Sequence, residues 1–207
     1  MALAIPTPFL AEDTSSDQEL TRIIESRRSR QAATIYSILK LHTRDLSEST
    51  LGHLAATILG ECEKYLLDPV LVLGVISVES EFQHKAVSST GARGLMQILP
   101  SVAAPLAEKT GLEGWAGAES LYDPVVNAKI GVFYLSYLKE RFNDVRIALA
   151  AYRWGPARIQ QKLANNRAIP FDYTRKVLSA ARAYRGRTAE SLIDTASFPR
   201  SESIELS

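Results

Sequence analysis

The most constraining feature of the sequence is a short segment, residues 69–80, that is apolar on every side of a helix. Asp68 precedes this segment and Pro69 opens it, an order typical of a helix start because the first turn has no partner for the N–H that proline lacks. A helix without a polar face has to be buried among other elements. The string VLVLGVISVES therefore predicts a central helix surrounded by the rest of the fold.

The flanking sequence is also helical in its patterns. Asp123 and Pro124 repeat the start signal before an amphipathic helix that we expect to end near Phe142. Ser47 is expected to cap a helix with a long apolar stripe, formed by Leu51, Leu54, Ala55, Ile58, Leu59, Cys62, Tyr65 and Leu66. Shorter helices are predicted at 101–110, 145–153, 156–166 and 173–185, and irregular segments at 81–94 and 111–122.

The N-terminal part predicts a helix of its own. Ser16 and Glu19 form a capping box before a helix of about 25 residues. Its apolar positions recur at helical spacing: Leu20, Ile23, Ile24, Ile35, Ile38 and Leu39. No segment alternates with the period of a strand. The sequence therefore predicts an all-α fold, divided into a flexible tail at 1–15, N-terminal helices at 16–66 packed on a main helical domain at 67–187, and a second flexible tail at 188–207.

Several kinds of site are disfavoured by composition. Cys62 is the single cysteine, and the three histidines, His42, His53 and His84, do not have metal-ligand spacing, so we expect no metal or other cofactor. No apolar run is long enough for a transmembrane helix. The first residues lack a basic region and are interrupted by Pro6 and Pro8, so no signal peptide is expected in this chain.

Basic residues are concentrated in the C-terminal third. Residues 141–187 contain eleven Lys and Arg against Asp144 and Asp172, a net charge of about +9. Such a surface attracts anionic polymers, although a solvated helix face explains it equally well. No nucleic-acid-binding motif accompanies the basic residues, so we expect no nucleic-acid partner.

Glu79 is the most informative polar residue. It lies at the end of the apolar helix and is followed by the loop SSTGARGLMQ, in which Ser88, Ser89 and Gln97 are neutral. Partial burial would raise the pKa of this carboxyl and suit it to general-acid catalysis near neutral pH. The alternative, usual for an arbitrary glutamate, is an exposed side chain at a helix end.

The string VISVESEFQHKAVSSTGARGLMQILP resembles the soluble lytic transglycosylase domain of the lysozyme-like superfamily. The later strings LYDPVVNAKIGVFYLSYL, ALAAYRWGPARI and FDYTRKVL resemble further motifs of that family in the same order, over roughly residues 60–185. The resemblance implies a lysozyme-like helical domain with an N-terminal helical extension. It also implies cleavage of the β-1,4 bond between N-acetylmuramic acid and N-acetylglucosamine in peptidoglycan glycan strands, in the periplasm or cell envelope.

The resemblance also assigns roles to residues. It implies that Glu79 is the catalytic acid and base, and that Ser88 and Gln97 bind the sugar. Tyr134 and Tyr152 match tyrosines of the family's cleft, Tyr152 being expected to hydrogen-bond the catalytic carboxyl. Taken alone, each tyrosine is equally compatible with a core aromatic residue.

One position departs from the family pattern. Asparagine usually follows the tyrosine of the AYRWG motif, and here Arg153 stands in its place. If Arg153 points into the cleft, it would favour the ionised form of Glu79 and could bind a carboxylate of the substrate; if it points outward, little changes.

The matched motifs offer only Glu79 as a candidate catalytic carboxyl, whereas glycoside hydrolases generally use two. A single Glu79 could protonate the leaving oxygen and then deprotonate the muramic C6 hydroxyl, forming a 1,6-anhydro ring. Three alternatives stay open: a hydrolytic muramidase on the same fold, a non-catalytic peptidoglycan-binding protein, and a nucleic-acid-binding helical module. Protein partners are not predicted.

Overall fold

The computed structural model describes the backbone of residues 14–194 and the side chains of residues 16–186. Within these residues the chain forms eight α-helices and one 3-10 helix, and it has no β-strand beyond isolated bridges. The helices are α1 (Thr14–His42), α2 (Glu48–Lys64), α3 (Pro69–Ser80), α4 (Pro100–Thr110), α5 (Pro124–Phe142), α6 (Val145–Trp154), α7 (Pro156–Ala164) and α8 (Asp172–Asp194), with the 3-10 helix at Ala118–Tyr122. The predicted all-α class is confirmed.

Helix α3 lies at the centre of the fold. Its N-terminus is capped as predicted, since Asp68 Oδ1 accepts a 3.0 Å hydrogen bond from the Val70 N–H. Residues 71–76 are all buried, and α8 packs along this helix. At Gly74 a Cβ would lie 2.7 Å from the Val177 carbonyl of α8. The two backbones approach too closely here for any larger residue, which fixes α8 against the helix that carries Glu79.

Helix α5 forms the second long element of the core. Asp123 Oδ1 accepts hydrogen bonds from the N–H groups of Val125 and Val126, and the helix ends at Phe142 as expected. It packs against both α2 and α6. The predicted caps are confirmed because an aspartate followed by proline specifies a helix start locally, without help from the rest of the fold.

The first helix differs from the prediction. It already includes Thr14, ahead of the predicted cap at Ser16. Ile35, Ile38 and Leu39 are buried as expected, but three other apolar residues of the same pattern are more than half exposed, namely Leu20, Ile23 and Ile24. Helical spacing defines an apolar face but not whether another element covers it. In this chain only the C-terminal half of α1 packs on the core.

Helix α2 agrees with its predicted stripe except at its end. Ser47 Oγ accepts a hydrogen bond from the Thr50 N–H, and the stripe from Leu51 to Cys62 is buried. Cys62 is a core thiol, and burial raises its pKa to about 12. Leu66 was expected in the stripe but is 82% exposed, because the helix ends at Lys64 and Leu66 adopts a left-handed φ of 51°.

The two predicted tails lie mostly outside the described residues. Residues 14 and 15 belong to α1, and residues 188–194 continue α8, which was expected to end near 185. No helix in the described part of the chain is both long and apolar enough to span a membrane.

Candidate active site

The loop after α3, residues 81–99, folds back over the end of that helix. Glu81 and Phe82 both have positive φ angles, which reverses the chain direction immediately after the helix, and Phe82 is buried in the core. Ser80 Oγ then donates a 2.8 Å hydrogen bond to the carbonyl of Leu95. The residue next to Glu79 thus ties the distal part of the loop to the helix end.

Asn127 on α5 fixes the same loop from the other side. Its side chain is fully buried and makes three hydrogen bonds. The Oδ1 atom accepts from the Met96 N–H at 2.8 Å, and the Nδ2 atom donates to the carbonyls of Arg93 and Leu121, both at 2.9 Å. One amide therefore joins the loop, α5 and the 3-10 helix.

Two glycines allow this loop to approach its neighbours. Gly94 has a φ of 77°, and a Cβ there would lie 2.2 Å from Asn127 Nδ2. On α5, a Cβ at Gly131 would lie 2.3 Å from the sulfur of Met96. The GARGLMQ segment therefore packs on α5 only because both positions lack a side chain.

A cleft of about 510 Å³ opens beside this loop. One wall is the loop itself and the other is formed by α5, α6 and the start of α7. All of the predicted substrate-binding residues line it together: Ser88, Gln97, Tyr134, Tyr152 and Arg153. The structure thus brings side chains from three separate motifs to one surface.

Glu79 adjoins the cleft but is not one of its lining residues. It lies in the last turn of α3 and is partly buried. Burial raises the pKa of its carboxyl, while the Tyr173 hydroxyl and the Arg153 guanidinium oppose this effect and lower it. The net direction is upward, as expected for a carboxyl that must hold a proton near neutral pH.

Two tyrosines lie near Glu79, and the predicted one, Tyr152, forms its hydrogen bond elsewhere. The Tyr152 hydroxyl donates a 2.8 Å hydrogen bond to the Met96 carbonyl and so does not donate to the carboxyl. Tyr173 on α8 is buried, and its hydroxyl has no partner at normal hydrogen-bond distance among the described residues. That hydroxyl is nevertheless close enough to Glu79 to lower the pKa of the carboxyl. Both tyrosines have pKa values well above the ordinary one, first because of burial and second because of Glu79.

Ser88 and Gln97 are partly engaged by their own loop. The Ser88 hydroxyl accepts from the Ala92 N–H at 3.0 Å and pairs with the Thr90 hydroxyl at 2.9 Å. The Gln97 Nε2 atom donates to the carbonyls of Ala86 and Gly94. Because the amide hydrogens of Gln97 are already used, its Oε1 atom is the group that can accept a hydrogen bond from a ligand.

Tyr134 and Arg153 complete the far wall of the cleft. The Tyr134 ring lies 5.3 Å from the Tyr152 ring, and burial raises the pKa of its hydroxyl. Arg153 is exposed and lines the cleft, so its position corresponds to the inward alternative. Within the described residues there is no group of three or more His, Cys, Asp or Glu side chains arranged to hold a metal ion.

Sequence reasoning missed Tyr173 and Asn127. Tyr173 lies in the FDYTRKVL string and Asn127 in the LYDPVVNAKI string, both noted above for their resemblance to family motifs. The signal available was a polar residue at an inward-facing position of a helix. That signal does not reveal a partner that is distant in the chain.

The chain is similar in sequence to known proteins. The family described as Transglycosylase SLT domain matches residues 57–173, so the match begins inside α2, before the predicted domain boundary at 67. The soluble lytic murein transglycosylase of Escherichia coli (strain K12) is 33% identical over 123 residues, which cover 54% of this chain and 19% of that protein. The chain therefore spans about a fifth of the length of this relative.

Solved structures show the same fold. An inactive mutant of lytic transglycosylase Slt from Pseudomonas aeruginosa, in which a glutamate is replaced by glutamine, superposes with a TM-score of 0.58 at 32% identity over 65% of this chain and 24% of that chain. The 70 kDa soluble lytic transglycosylase from Escherichia coli gives a TM-score of 0.60 at 24% identity, covering 77% of this chain and 30% of that chain. The predicted lysozyme-like helical fold is confirmed. With the family match covering more than half of its length, the chain belongs to the transglycosylase SLT domain family.

Proposed function

We propose that this chain is a peptidoglycan lytic transglycosylase that cleaves the β-1,4 bond between N-acetylmuramic acid and N-acetylglucosamine. The observation that carries the proposal is Glu79, a partly buried carboxyl with a raised pKa that adjoins the cleft. None of the residues lining that cleft, all within the described part of the chain, is an Asp or a Glu. The matched motifs offer Glu79 alone as a candidate catalytic carboxyl, so the proposed mechanism uses one carboxyl group and not two.

Glu79 acts first as an acid and then as a base. Its proton passes to the glycosidic oxygen as the bond from that oxygen to muramic C1 breaks, which leaves a Glu79 carboxylate. The carboxylate then takes the proton of the muramic C6 hydroxyl as the C6 oxygen bonds to C1. The products are a 1,6-anhydromuramic end and a new N-acetylglucosamine end. No water is consumed, and Glu79 regains its proton.

The other cleft residues bind the glycan. Ser88, Gln97 and Tyr134 all line the cleft. In this proposal the Ser88 hydroxyl and the Gln97 Oε1 atom hydrogen-bond the sugar and its N-acetyl group, and the Tyr134 ring contacts the apolar face of the sugar. Tyr152 holds the loop through the Met96 carbonyl. Tyr173 orients the Glu79 carboxyl, because its hydroxyl influences that carboxyl and has no hydrogen-bond partner among the described residues.

The relatives support the reaction class. The relative from Escherichia coli is named a murein transglycosylase. The Pseudomonas aeruginosa structure is of an inactive mutant in which a glutamate is replaced by glutamine. Peptidoglycan lies in the cell envelope, so the envelope or periplasm is the proposed place of action. Residues 67–187 are the proposed catalytic unit, with 16–66 as its N-terminal extension.

The test is mass spectrometry of digested sacculi with Glu79→Gln beside the wild type. Glutamine keeps the size of the side chain but cannot donate the proton, so turnover should fall at least a hundredfold. The wild-type product should be lighter by one water than the product of hydrolysis. A reducing-end product would instead identify a hydrolytic muramidase, and retention of turnover within tenfold in the variant would remove Glu79 from its role.

A further inference from the structure

Two arginines flank one tryptophan at the rim of the cleft. Arg153 and Trp154 are the last residues of α6, and both line the cleft. The guanidinium carbons of Arg153 and Arg158 lie 5.8 and 5.2 Å from the centre of the Trp154 ring. A guanidinium over an indole is held in place by cation–π attraction while its N–H groups stay available. The stack therefore holds the Arg153 group at the rim of the cleft.

The surroundings of Arg153 provide no carboxylate that neutralises it at contact distance. It belongs to none of the ion pairs formed by the described residues, and its electrostatic interactions are with Glu79 and Tyr173. The opposite wall carries the neutral hydroxyls of Ser88, Ser89 and Thr90. An anionic ligand in the cleft would thus meet a cation on one side and no repelling carboxylate among the lining residues.

We propose that Arg153, oriented by Trp154, binds a carboxylate of the muramic acid residue beside the scissile bond and so makes the enzyme selective for anionic glycan. This inference rests on the proposed function and specifies its substrate. The planar guanidinium matches a carboxylate with two parallel hydrogen bonds. The carboxylate has two possible sources: the lactyl group of a muramic acid that has lost its peptide, or the peptide itself where it is still attached.

Arg153 also influences the reaction through Glu79, because it lowers the pKa of that carboxyl. A bound carboxylate would partly neutralise this effect, so Glu79 would hold its proton better once substrate is present. Turnover alone would therefore mix binding with protonation. The decisive measurement is binding in a Glu79→Gln background, in which neither the reaction nor the titration of Glu79 takes place.

The experiment measures dissociation constants of Glu79→Gln and Glu79→Gln/Arg153→Gln at physiological ionic strength. Three ligands are used: glycan strands with peptides, strands stripped of peptides, and stripped strands with their lactyl carboxylates methyl-esterified. The second substitution should weaken binding about tenfold or more on the ligand that supplies the carboxylate. It should leave binding of the esterified strands unchanged. Which of the first two ligands responds identifies the source of the carboxylate.

The matched control is Glu79→Gln/Arg167→Gln. Arg167 is exposed and lies outside the cleft, so this variant loses the same charge without touching the site. If Arg167→Gln weakened binding as much as Arg153→Gln does, the effect would be long-range charge only and the proposal would be overturned. The proposal would also be overturned if Arg153→Gln weakened binding of the esterified strands equally, or if it weakened binding of no strand. Arg153→Lys gives a second readout: it keeps the charge but loses the paired hydrogen bonds, and it should bind with intermediate affinity.

The two proposals fail in different ways. If the wild type did not cleave any strand, the proposed function would be wrong, yet the binding comparison would still report on Arg153. If the wild type cleaved strands but the binding ratio did not depend on the carboxylate, only the selectivity would be wrong.

Discussion

The hydroxyl of Tyr152 donates a 2.8 Å hydrogen bond to the backbone carbonyl of Met96, in the loop that follows the Glu79 helix. A phenol hydroxyl has a single proton to donate, so the Tyr152 hydroxyl cannot donate a second hydrogen bond to Glu79. The Tyr173 hydroxyl, in contrast, is buried beside Glu79 without a partner at hydrogen-bond distance in the described structure. The two tyrosines near the carboxyl therefore have separate functions: Tyr152 fixes the cleft wall and Tyr173 faces the acid.

Tyr173→Phe should shift the pH dependence of turnover. The hydroxyl lowers the pKa of Glu79 and burial raises it, so removal of the hydroxyl alone should raise this pKa further. Because the acid acts in its protonated form, the basic limb of the pH profile of kcat should move to higher pH. Turnover of short glycan strands across pH measures the shift, with Tyr36→Phe on α1 as the control. An unmoved limb would show that Tyr173 has only a structural role.

Glu79→Gln should stabilise the fold at neutral and alkaline pH. A raised folded-state pKa means that the carboxylate is less favourable in the folded chain than in the unfolded one. Glu79 therefore lowers the free energy of unfolding once the pH exceeds the ordinary pKa of 4.5. The gain in the variant should disappear as the pH falls below that value. Denaturant unfolding of both proteins over a pH series tests this, and a gain independent of pH would contradict burial as the cause.

Asn127→Ala should disturb both stability and turnover. The substitution leaves the Met96 N–H and the Leu121 carbonyl without the side chain that pairs them, whereas the Arg93 carbonyl still accepts from the Ile98 N–H. Each of these two buried groups left unpaired costs about 1–3 kcal/mol, so the free energy of unfolding should fall by about 2–6 kcal/mol. The control is Asn165→Ala, since Asn165 is exposed and bonds only within its own helix end. Chemical denaturation and kcat are measured on the same preparations. If Asn127→Ala lost no more unfolding free energy and kcat than the control, the prediction would be wrong.

Charge reversal on α8 should weaken attachment to sacculi. Lys176 and Arg182 are exposed and take part in no ion pair of the described chain, whereas Arg185 pairs with Asp68 and is left unchanged. Lys176→Glu/Arg182→Glu should lower binding to anionic sacculi most at low salt, because screening shortens the range of charge to about 8 Å at physiological ionic strength. The rate on short neutral glycan should not change. Binding is measured by pelleting each protein with sacculi across a salt series. If binding did not change with salt for either protein, the basic residues would form only a solvated surface.

The helix starts could be predicted because their determinants are local. Asp68 and Asp123 each cap the helix that begins at the next residue, and a proline at that position agrees with the cap. The prediction for α1 was partly wrong, because an apolar helix face is buried only where another element packs against it. Leu20, Ile23 and Ile24 have the same periodicity as the buried part of that helix, and no covering element is encoded in their spacing.

Several residues of the candidate site were named from the sequence, but their contacts were not. Five of the residues that line the cleft were named from the motif resemblance, and their roles stay predictions. Asn127 contacts residues 31 and 34 positions away, and Tyr173 meets Glu79 across the packing of α3 on α8. Such long-range pairs arise from tertiary packing, which one sequence does not display. The engagement of Tyr152 by a backbone carbonyl was hidden for the same reason.

The burial of α3 also determines which parts of the backbone can open to solvent. Residues 71–76 sit in the core and α8 covers them, so their amide hydrogens should exchange with solvent only on global unfolding. The loop that forms one wall of the cleft contains the exposed residues Ser89 and Thr90, whose amide hydrogens should exchange early. Under the proposed function, we expect the tip of the loop to adapt to the glycan while Glu79 stays fixed on α3. Ligand binding should appear in hydrogen exchange as new protection at residues 88–91, with α3 unchanged.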